Sequence, residues 1–304
     1  MGWRVVVVSS TAKLDYKMGY LCVRTKDELK RIFIDEISVL IIETPSISLT
    51  SYLLIELANN NVDVLFCDGK RNPHGMYHSL YGSYDTSRKI RQQIKWTQDI
   101  QMLVWQQIII HKILGQSSVL AYNSQKDASE KLMAYIPQIE TGDATNREGH
   151  AAKVYFNALF GKEFSRERDK ESSIVNSELN YGYSVLMSVV AREIVSKGYL
   201  TQIGIFHDNV FNEFNLASDL MEPFRPFVDQ RVVRMKYEVF NPEAKADLVS
   251  FLNCKARIDH REQYLLNALN IYVNSVLDAL DQKDCSIIKF PEYDMSLYES
   301  NRVL

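Results

Sequence analysis

The feature that most constrains the fold is a change in hydrophobic periodicity near residue 87. Before it, apolar residues form short β-branched runs that are typical of strands and end at turn signals such as Asp68-Gly69. After it, apolar residues such as Ile100, Leu103 and Val104 recur at steps of three and four, the spacing of one helix face. A chain of 304 residues with two such patterns predicts two domains of different class.

The first pattern predicts a small β-sandwich-like domain over 1–80. One helix, Tyr52–Ala58, interrupts its strands and can be capped from within Ser48–Ser51. The expected strands are Arg4–Val8, Tyr20–Val23, Arg31–Ile34, Ser38–Ile42 and Val62–Cys67.

The second pattern predicts a larger all-α domain over 91–285, joined by a linker at 81–90 and followed by a tail at 286–304. The fold class is therefore α+β. Beyond the first long helix, helical periodicity runs through about 126–139, 147–160, 174–197, 217–229, 243–257 and 260–282.

Composition excludes several classes of protein. The four cysteines form no CxxC pair, which argues against a zinc knuckle or a redox motif and predicts reduced, mostly buried thiols. No apolar run reaches the roughly 18 residues that span a bilayer, and the run Arg4–Val8 is too short for a signal peptide, so we expect a cytoplasmic protein without membrane contact. The net charge of −3 means that any nucleic-acid binding must use local basic patches, an oligomeric surface or a basic partner.

Three stretches together supply carboxylates and an imidazole: Asn146–His150, Gly204–Asn209 and Asp219–Pro226. Alone, each has an ordinary explanation. Glu148 can interact with a helix dipole, His207 can be a hydrogen-bonded structural residue, and Asp219 with Glu222 can form a solvated helix face. Together they are a mixed oxygen and nitrogen ligand set that suits Mg²⁺ or Mn²⁺.

Polar and basic neighbours sharpen this hypothesis. Arg147 adjoins Glu148, and Arg225 follows Glu222 by three residues, so it can hold a carboxylate or contact a phosphate. A metal flanked by arginines is typical of a phosphodiester site. Asn146 and Asn209 are further candidates for holding ligands or phosphate.

Four longer motifs carry a resemblance to a family: Asn146–Phe156, Leu179–Tyr183, His207–Asn209 and Phe214–Pro226. In these motifs the chain resembles the CRISPR-associated integrase of spacer acquisition (the Cas-one family), in the form found in type II systems. The resemblance covers nearly the whole chain and weakens after about residue 230.

The resemblance implies an N-terminal β-domain for dimerisation and partner contacts, followed by a helical catalytic domain. It implies that Glu148, His207 and Glu222 are catalytic and hold Mg²⁺ or Mn²⁺, while Asp219 either supports one of these ligands or serves as an auxiliary ligand. Many family members carry Asp where this chain has Glu222. It also implies that the protein forms homodimers and that a dimer of the small Cas-two protein bridges two of them. Further type II adaptation helpers are implied as partners, and double-stranded DNA (protospacer and CRISPR repeat) is the implied substrate.

The implied reaction is metal-assisted integration of a short duplex into a CRISPR array. A 3′-hydroxyl of the duplex attacks a phosphodiester at a repeat end, so no Ser or Cys nucleophile is required. Two alternatives remain open: a standalone metal-dependent nuclease of branched or single-stranded DNA, and a non-catalytic adaptation scaffold.

Basic and aromatic residues outside the ligand set are candidate DNA contacts. Two basic clusters can contact phosphates, although a solvated charged face is the more common explanation for such clusters. Tyr181 beside Gly182 can stack on a base, and core packing explains it equally well. The candidates are Arg88, Arg91, Lys95, Arg147, Tyr181, Arg225, Arg231 and Arg234.

Overall fold

A computed structural model describes residues 2, 4–69, 71, 73–77, 83–166 and 173–299 of the chain. It divides the chain into two compact units, Met1–Tyr84 and Asp85–Leu304. Residues 86–90 of the predicted linker belong to a helix rather than to a connection. Residues 81 and 82 of that linker, and 300–304 of the predicted tail, lie outside the described residues.

The first unit contains two four-stranded sheets and one helix. The sheet orders are β1-β5-β7-β8 and β4-β3-β2-β6. The elements are β1 Arg4–Val8, β2 Ala12–Lys17, β3 Tyr20–Arg24, β4 Leu29–Phe33, β5 Ile37–Ile42, β6 Ile47–Leu49, α1 Ser51–Asn59, β7 Asp63–Cys67 and β8 Pro73–Tyr77.

One hydrophobic core joins both sheets and α1. Leu40 of the first sheet, Leu14 of the second and Leu53 of α1 belong to the same buried cluster. All six residues of β5 are buried, because β5 lies between the parallel neighbours β1 and β7 and both its faces are covered. The Thr50 side chain accepts a hydrogen bond from Leu53 N at 3.2 Å and caps α1. The predicted β-rich domain with one helix is therefore confirmed.

The second unit is mainly helical. Its elements are α2 Thr86–Gln93, α3 Gln98–Tyr122, α4 Lys126–Tyr135, α5 Arg147–Phe160, α6 Ile174–Ser196, α7 Asn215–Leu220, α8 Arg225–Arg234, α9 Pro242–Val249, β9 Lys255–Ile258, β10 Arg261–Tyr264, α10 Leu265–Gln282 and α11 Met295–Glu299.

The prediction of an all-α domain is wrong in one place, where β9 and β10 form an antiparallel hairpin. The two residues between them, Asp259 and His260, have φ of 50° and 61°, the left-handed pair that closes a tight two-residue hairpin. The helix expected over 243–257 therefore ends at Val249. The helix expected over 217–229 is also divided, because Pro223 lies in a 3₁₀ turn between α7 and α8.

Helix α3 is the centre of the second unit. It is 25 residues long and buries an apolar face that includes Trp105, Ile108 and Ile109. Lys112 lies on that same buried face and is 6% exposed. A buried lysine needs an anionic partner, so its position marks where acidic groups must converge.

Much of the predicted tail packs on the helical unit. Phe290 stacks on His111 of α3, with ring centroids 3.6 Å apart, and Tyr293 Oη donates a hydrogen bond to Pro223 O at 2.9 Å. A Cβ at Gly115 would lie 2.6 Å from the Tyr293 ring, so only glycine permits this approach. Across the described ranges, no helix combines the length and apolar character that crossing a membrane requires.

Candidate functional site

Glu148 is held in the first turn of α5 by two capping residues. The Asp143 carboxylate accepts hydrogen bonds from Arg147 N at 2.8 Å and Glu148 N at 3.0 Å. The Asn146 side chain accepts one from Gly149 N at 3.3 Å. Because these caps satisfy the first amides of the helix, the backbone that carries Glu148 is fixed.

Glu222 approaches from the opposite side, in the 3₁₀ turn Glu222–Phe224. Its side chain is buried, and its Oε1 lies 2.9 Å from Nη2 of Arg225. The Arg225 guanidinium also stacks over the Tyr183 ring, 4.7 Å from its centroid. Arg225 therefore fixes one oxygen of Glu222, as its spacing in the sequence indicates.

Lys112 joins the two glutamates. Its Nζ lies 2.5 Å from Glu148 Oε1 and 2.6 Å from Glu222 Oε2. Burial works against the charge of Lys112, but Glu222 and Glu148 outweigh it and raise its pKa. Burial also opposes ionisation of Glu148, yet Lys112 holds the pKa of that carboxyl below its usual value. Both glutamates are thus ion-pair partners of one buried ammonium.

His207 lies on the loop before α7 and is oriented by Asp219. The distance from His207 Nδ1 to Asp219 Oδ1 is 2.5 Å. The hydrogen bond to Asp219, opposed by burial, raises the pKa of His207, and the charges of Glu222 and Glu148 act in the same direction. When Nδ1 bonds to Asp219, Nε2 is the nitrogen available to a ligand.

The His207 loop is tightly folded. The Asp219 carboxylate accepts hydrogen bonds from the backbone amides of Ile205 at 2.6 Å and Phe206 at 3.1 Å, as well as from that of His207. A Cβ at Gly204 would lie 2.3 Å from His207 O, so the turn requires glycine there. Phe206 stacks on buried Trp105 with centroids 4.4 Å apart.

A chamber of about 460 Å³ opens beside Glu148 and Lys112. Buried Asp229 forms part of its wall and accepts hydrogen bonds from Tyr155 Oη at 3.0 Å and Tyr183 Oη at 2.5 Å. Burial raises the pKa of Asp229 to about 6, although both tyrosines act against that shift. Further lining residues are cationic or aromatic: Lys153, Lys162, Arg166, Arg225, Phe156 and Phe164.

The chemistry of the donor set fits a divalent metal. Two carboxylates and one imidazole nitrogen are ligand types that Mg²⁺ and Mn²⁺ accept. Among the residues that the structure describes, however, no three His, Cys, Asp or Glu side chains form a metal-holding cluster. Instead, the Lys112 ammonium contacts both Glu148 and Glu222.

Comparison with known families identifies the chain at the level of family. Residues 5–241 match the model of the CRISPR associated protein Cas1 family. The chain belongs to this family. The resemblance inferred from the four sequence motifs is therefore confirmed.

Individual relatives agree with the family assignment. The chain is 32% identical over 299 residues to a CRISPR-associated endonuclease Cas1 of Neisseria meningitidis serogroup C (strain 8013), covering 96% of this chain and 97% of that protein. It is 24% identical over 283 residues to one from Francisella tularensis subsp. novicida (strain U112), covering 87% and 89%.

Solved structures share the fold at low sequence identity. A Cas1 protein from Thermotoga maritima is similar with a TM-score of 0.74 and 18% identity, covering 91% of this chain and 97% of that one. A casposase bound to integration product has a TM-score of 0.74 and 20% identity, covering 99% and 96%. The arrangement of β-sheets followed by a helical unit is therefore a Cas1 fold.

The basic residues near α2 differ in their surroundings. Arg88 forms an ion pair with Asp85, whereas Arg91 is exposed. Lys95 lies beyond the end of α2, so it does not share the helical face predicted for it, and Trp96 is buried with Nε1 donating to Asp281 at 2.9 Å. Arg88 and Arg91 remain candidate phosphate contacts on α2.

Other candidate DNA contacts are engaged within this Cas1 chain. Tyr181 is 2% exposed and packs edge-on against Phe240, so it has the core-packing role and we do not propose a DNA contact for it. Arg231 pairs with the Asp247 carboxylate. The remaining two stack on tyrosines: Arg147 over Tyr135 and Arg234 over Tyr122.

Sequence reasoning missed three residues that shape the site: Lys112, Asp143 and Asp229. Lys112 carried a signal, because a lone lysine on the apolar face of α3 predicts a buried acidic partner. Asp143 precedes a helix start and is of a type that caps helices. Asp229 carried no local signal, because its partners Tyr155 and Tyr183 are distant in sequence.

Proposed function

We propose that this Cas1-family protein inserts short duplex DNA into a CRISPR array by metal-assisted transesterification. The observation that carries the proposal is the convergence of Glu148 and Glu222 on one buried ammonium, near enough to His207 for both carboxylates to raise its pKa. The two acids come from separate elements, and the Glu222 side chain is buried at a cost in desolvation, which is typical of a functional site.

The residues divide into those that hold a metal and those that hold the ligands. Glu148, His207 and Glu222 would hold Mg²⁺ or Mn²⁺. When bound, such an ion supplies a Lewis acid that promotes ionisation of a hydroxyl and offsets charge on a phosphate. Arg225 fixes Glu222, and Asp219 orients His207.

The proposed substrate is a DNA strand with a 3′-hydroxyl end. Its 3′-hydroxyl loses its proton and the oxygen forms a bond to the phosphorus of a repeat-end phosphodiester. The bond from that phosphorus to the displaced 3′ oxygen breaks, and the displaced oxygen takes up a proton. The chamber beside Glu148 supports this substrate class, because Lys153, Lys162 and Arg166 offer positive charge to phosphates and Phe156 and Phe164 offer apolar surface to a base.

The names of related proteins support DNA processing and assembly with a partner. The relatives are called CRISPR-associated endonucleases, and one structural neighbour is a casposase bound to integration product. Another neighbour is one chain of a Cas6-RT-Cas1–Cas2 complex, and the match covers 36% of that chain. We infer that the protein forms homodimers and that a Cas2 dimer bridges two of them. In this assembly the first unit serves dimerisation and partner contacts, and type II adaptation helpers take part.

The test is an integration assay with purified protein, Cas2, a labelled duplex and a supercoiled plasmid carrying a leader and repeat. With Mg²⁺ or Mn²⁺, we expect label to move onto the plasmid, and EDTA or Glu148→Ala to abolish the transfer. Metal-dependent cutting without joining would favour a standalone nuclease. Joining by Glu148→Ala at the wild-type rate would contradict the proposed site.

A further inference from the structure

The Lys112 ammonium uses the same carboxylates that the proposed metal requires. Its Nζ contacts Glu148 Oε1 at 2.5 Å and Glu222 Oε2 at 2.6 Å. Lys112 itself is 6% exposed, so water does not screen these contacts strongly. A divalent cation and an ammonium cannot both make close contacts with the same two oxygens, because their charges repel at that distance.

We infer that Lys112 is an exchangeable resident cation: it neutralises Glu148 and Glu222, a divalent metal displaces it from them, and it thereby sets the metal affinity of the site. This inference rests on the proposed metal site and adds a residue that positions the ligands. Neither carboxylate has to be buried without a cationic partner at any stage, which avoids a large electrostatic cost.

Gln116 can accept a hydrogen bond from the displaced Lys112 ammonium. Gln116 lies one turn further along α3, so its side chain neighbours that of Lys112. Gln116 is 3% exposed and lines the chamber together with Lys112. Within the described part of the chain its Oε1 has no hydrogen-bond partner, an unfavourable state for a buried acceptor. A Lys112 side chain released from the glutamates can donate to this oxygen.

The comparison of Lys112→Met with Lys153→Met tests the exchange. Methionine has a similar length and no charge. Lys153 lines the same chamber but is exposed and forms no ion pair with either glutamate in the described contacts, so its variant controls for a general change in charge. Mn²⁺ affinity is measured on the full chain by electron paramagnetic resonance, with thermal unfolding in parallel.

We expect Lys112→Met to bind Mn²⁺ about tenfold more tightly than the wild type, because no ammonium competes for the carboxylates. Without metal, Lys112→Met should unfold at a lower temperature, and Mn²⁺ should raise that temperature more than in the wild type. Lys153→Met should shift the affinity much less. Equal or weaker Mn²⁺ binding by Lys112→Met would overturn the inference.

Gln116→Leu provides a second variant that keeps Lys112 and both glutamates. It should weaken Mn²⁺ binding by about three- to tenfold, because the displaced ammonium loses its acceptor. The same change in the Lys112→Met background should have no effect, and an equal loss in both backgrounds would contradict the exchange. If the wild type binds Mn²⁺ and joins strands, and Lys112→Met binds Mn²⁺ with the same affinity as the wild type, this inference alone is refuted. A wild-type protein that does neither refutes the proposed function as well.

Discussion

The Asp219 carboxylate lies 2.5 Å from Nδ1 of His207 and accepts three backbone hydrogen bonds from the same loop. Its oxygens are therefore occupied by the loop that carries His207. The arrangement fixes the imidazole and favours the tautomer with Nε2 open to a ligand. Of the two roles that the family resemblance implies for Asp219, supporting a ligand and serving as an auxiliary ligand, we accordingly favour the first.

Asp219→Asn should reduce strand joining by about 10- to 100-fold, the usual effect of removing a group that orients a ligand. Asparagine removes the negative charge and replaces one acceptor by a donor that faces backbone amides, so the unfolding temperature should also fall. Joining is measured in the integration assay under conditions where the variant is folded. Asp208→Asn is the matched control, because Asp208 is the exposed acid on the same loop. Equal activity of both variants would remove Asp219 from this role.

Arg88→Ala combined with Arg91→Ala should weaken DNA binding uniformly across sequences. Each lost phosphate contact should make the dependence of log Kd on log salt shallower by about one. Arg231→Ala should leave that slope unchanged, because the Arg231 side chain is 23% exposed against 65% for Arg88 and is held by both the carboxylate and the backbone oxygen of Asp247. Fluorescence anisotropy at several salt concentrations measures this slope for the double variant and for Arg231→Ala. An unchanged slope for the double variant would show that Arg88 and Arg91 are ordinary surface charges.

The parts of the fold that depend on local signals could be predicted from the sequence. Helix α5 begins and ends where the periodicity indicates, because Asn146 caps its first turn and Gly161 follows its last residue. The hairpin β9–β10 could not be predicted in this way. Its turn uses Asp259 and His260 in left-handed conformations that Asn-Gly or Asp-Gly would have signalled more clearly.

The candidate site was predictable in Glu148, His207, Asp219, Glu222 and Arg225, but not in Lys112 or Asp229. Glu148 and Glu222 are recognisable because each belongs to a distinctive motif. Lys112 has no motif, and its importance depends on partners that tertiary packing brings to it. For Tyr181 the sequence suggests a functional role that the structure does not support. A tyrosine beside a glycine fits a stacking surface and a helix core equally well, and only the burial of Tyr181 in the structure shows that it belongs to the core.

Gly182→Ala should destabilise the helical unit by about 1–3 kcal/mol, the usual cost of overpacking a core. An added Cβ would lie 2.5 Å from Val228 Cγ1, at the contact between α6 and α8. Gly69→Ala is the control, because a Cβ there meets nothing within 4 Å. Chemical denaturation of both variants measures the difference. Equal stabilities would mean that the two helices separate easily, which the tight packing does not predict.

His111→Phe should make the protein less sensitive to acid. Burial of His111, whose ring stacks on Phe290, lowers its pKa from 6.5 to about 4. Between these values the unfolded chain binds the proton more readily than the folded one, so wild-type stability should fall as the pH drops from 6.5 towards 4. Near pH 5 this effect amounts to about 1–2 kcal/mol relative to pH 7. Urea unfolding of both proteins at the two pH values isolates His111, because all carboxylates are shared. Parallel losses of stability would show that His111 titrates normally.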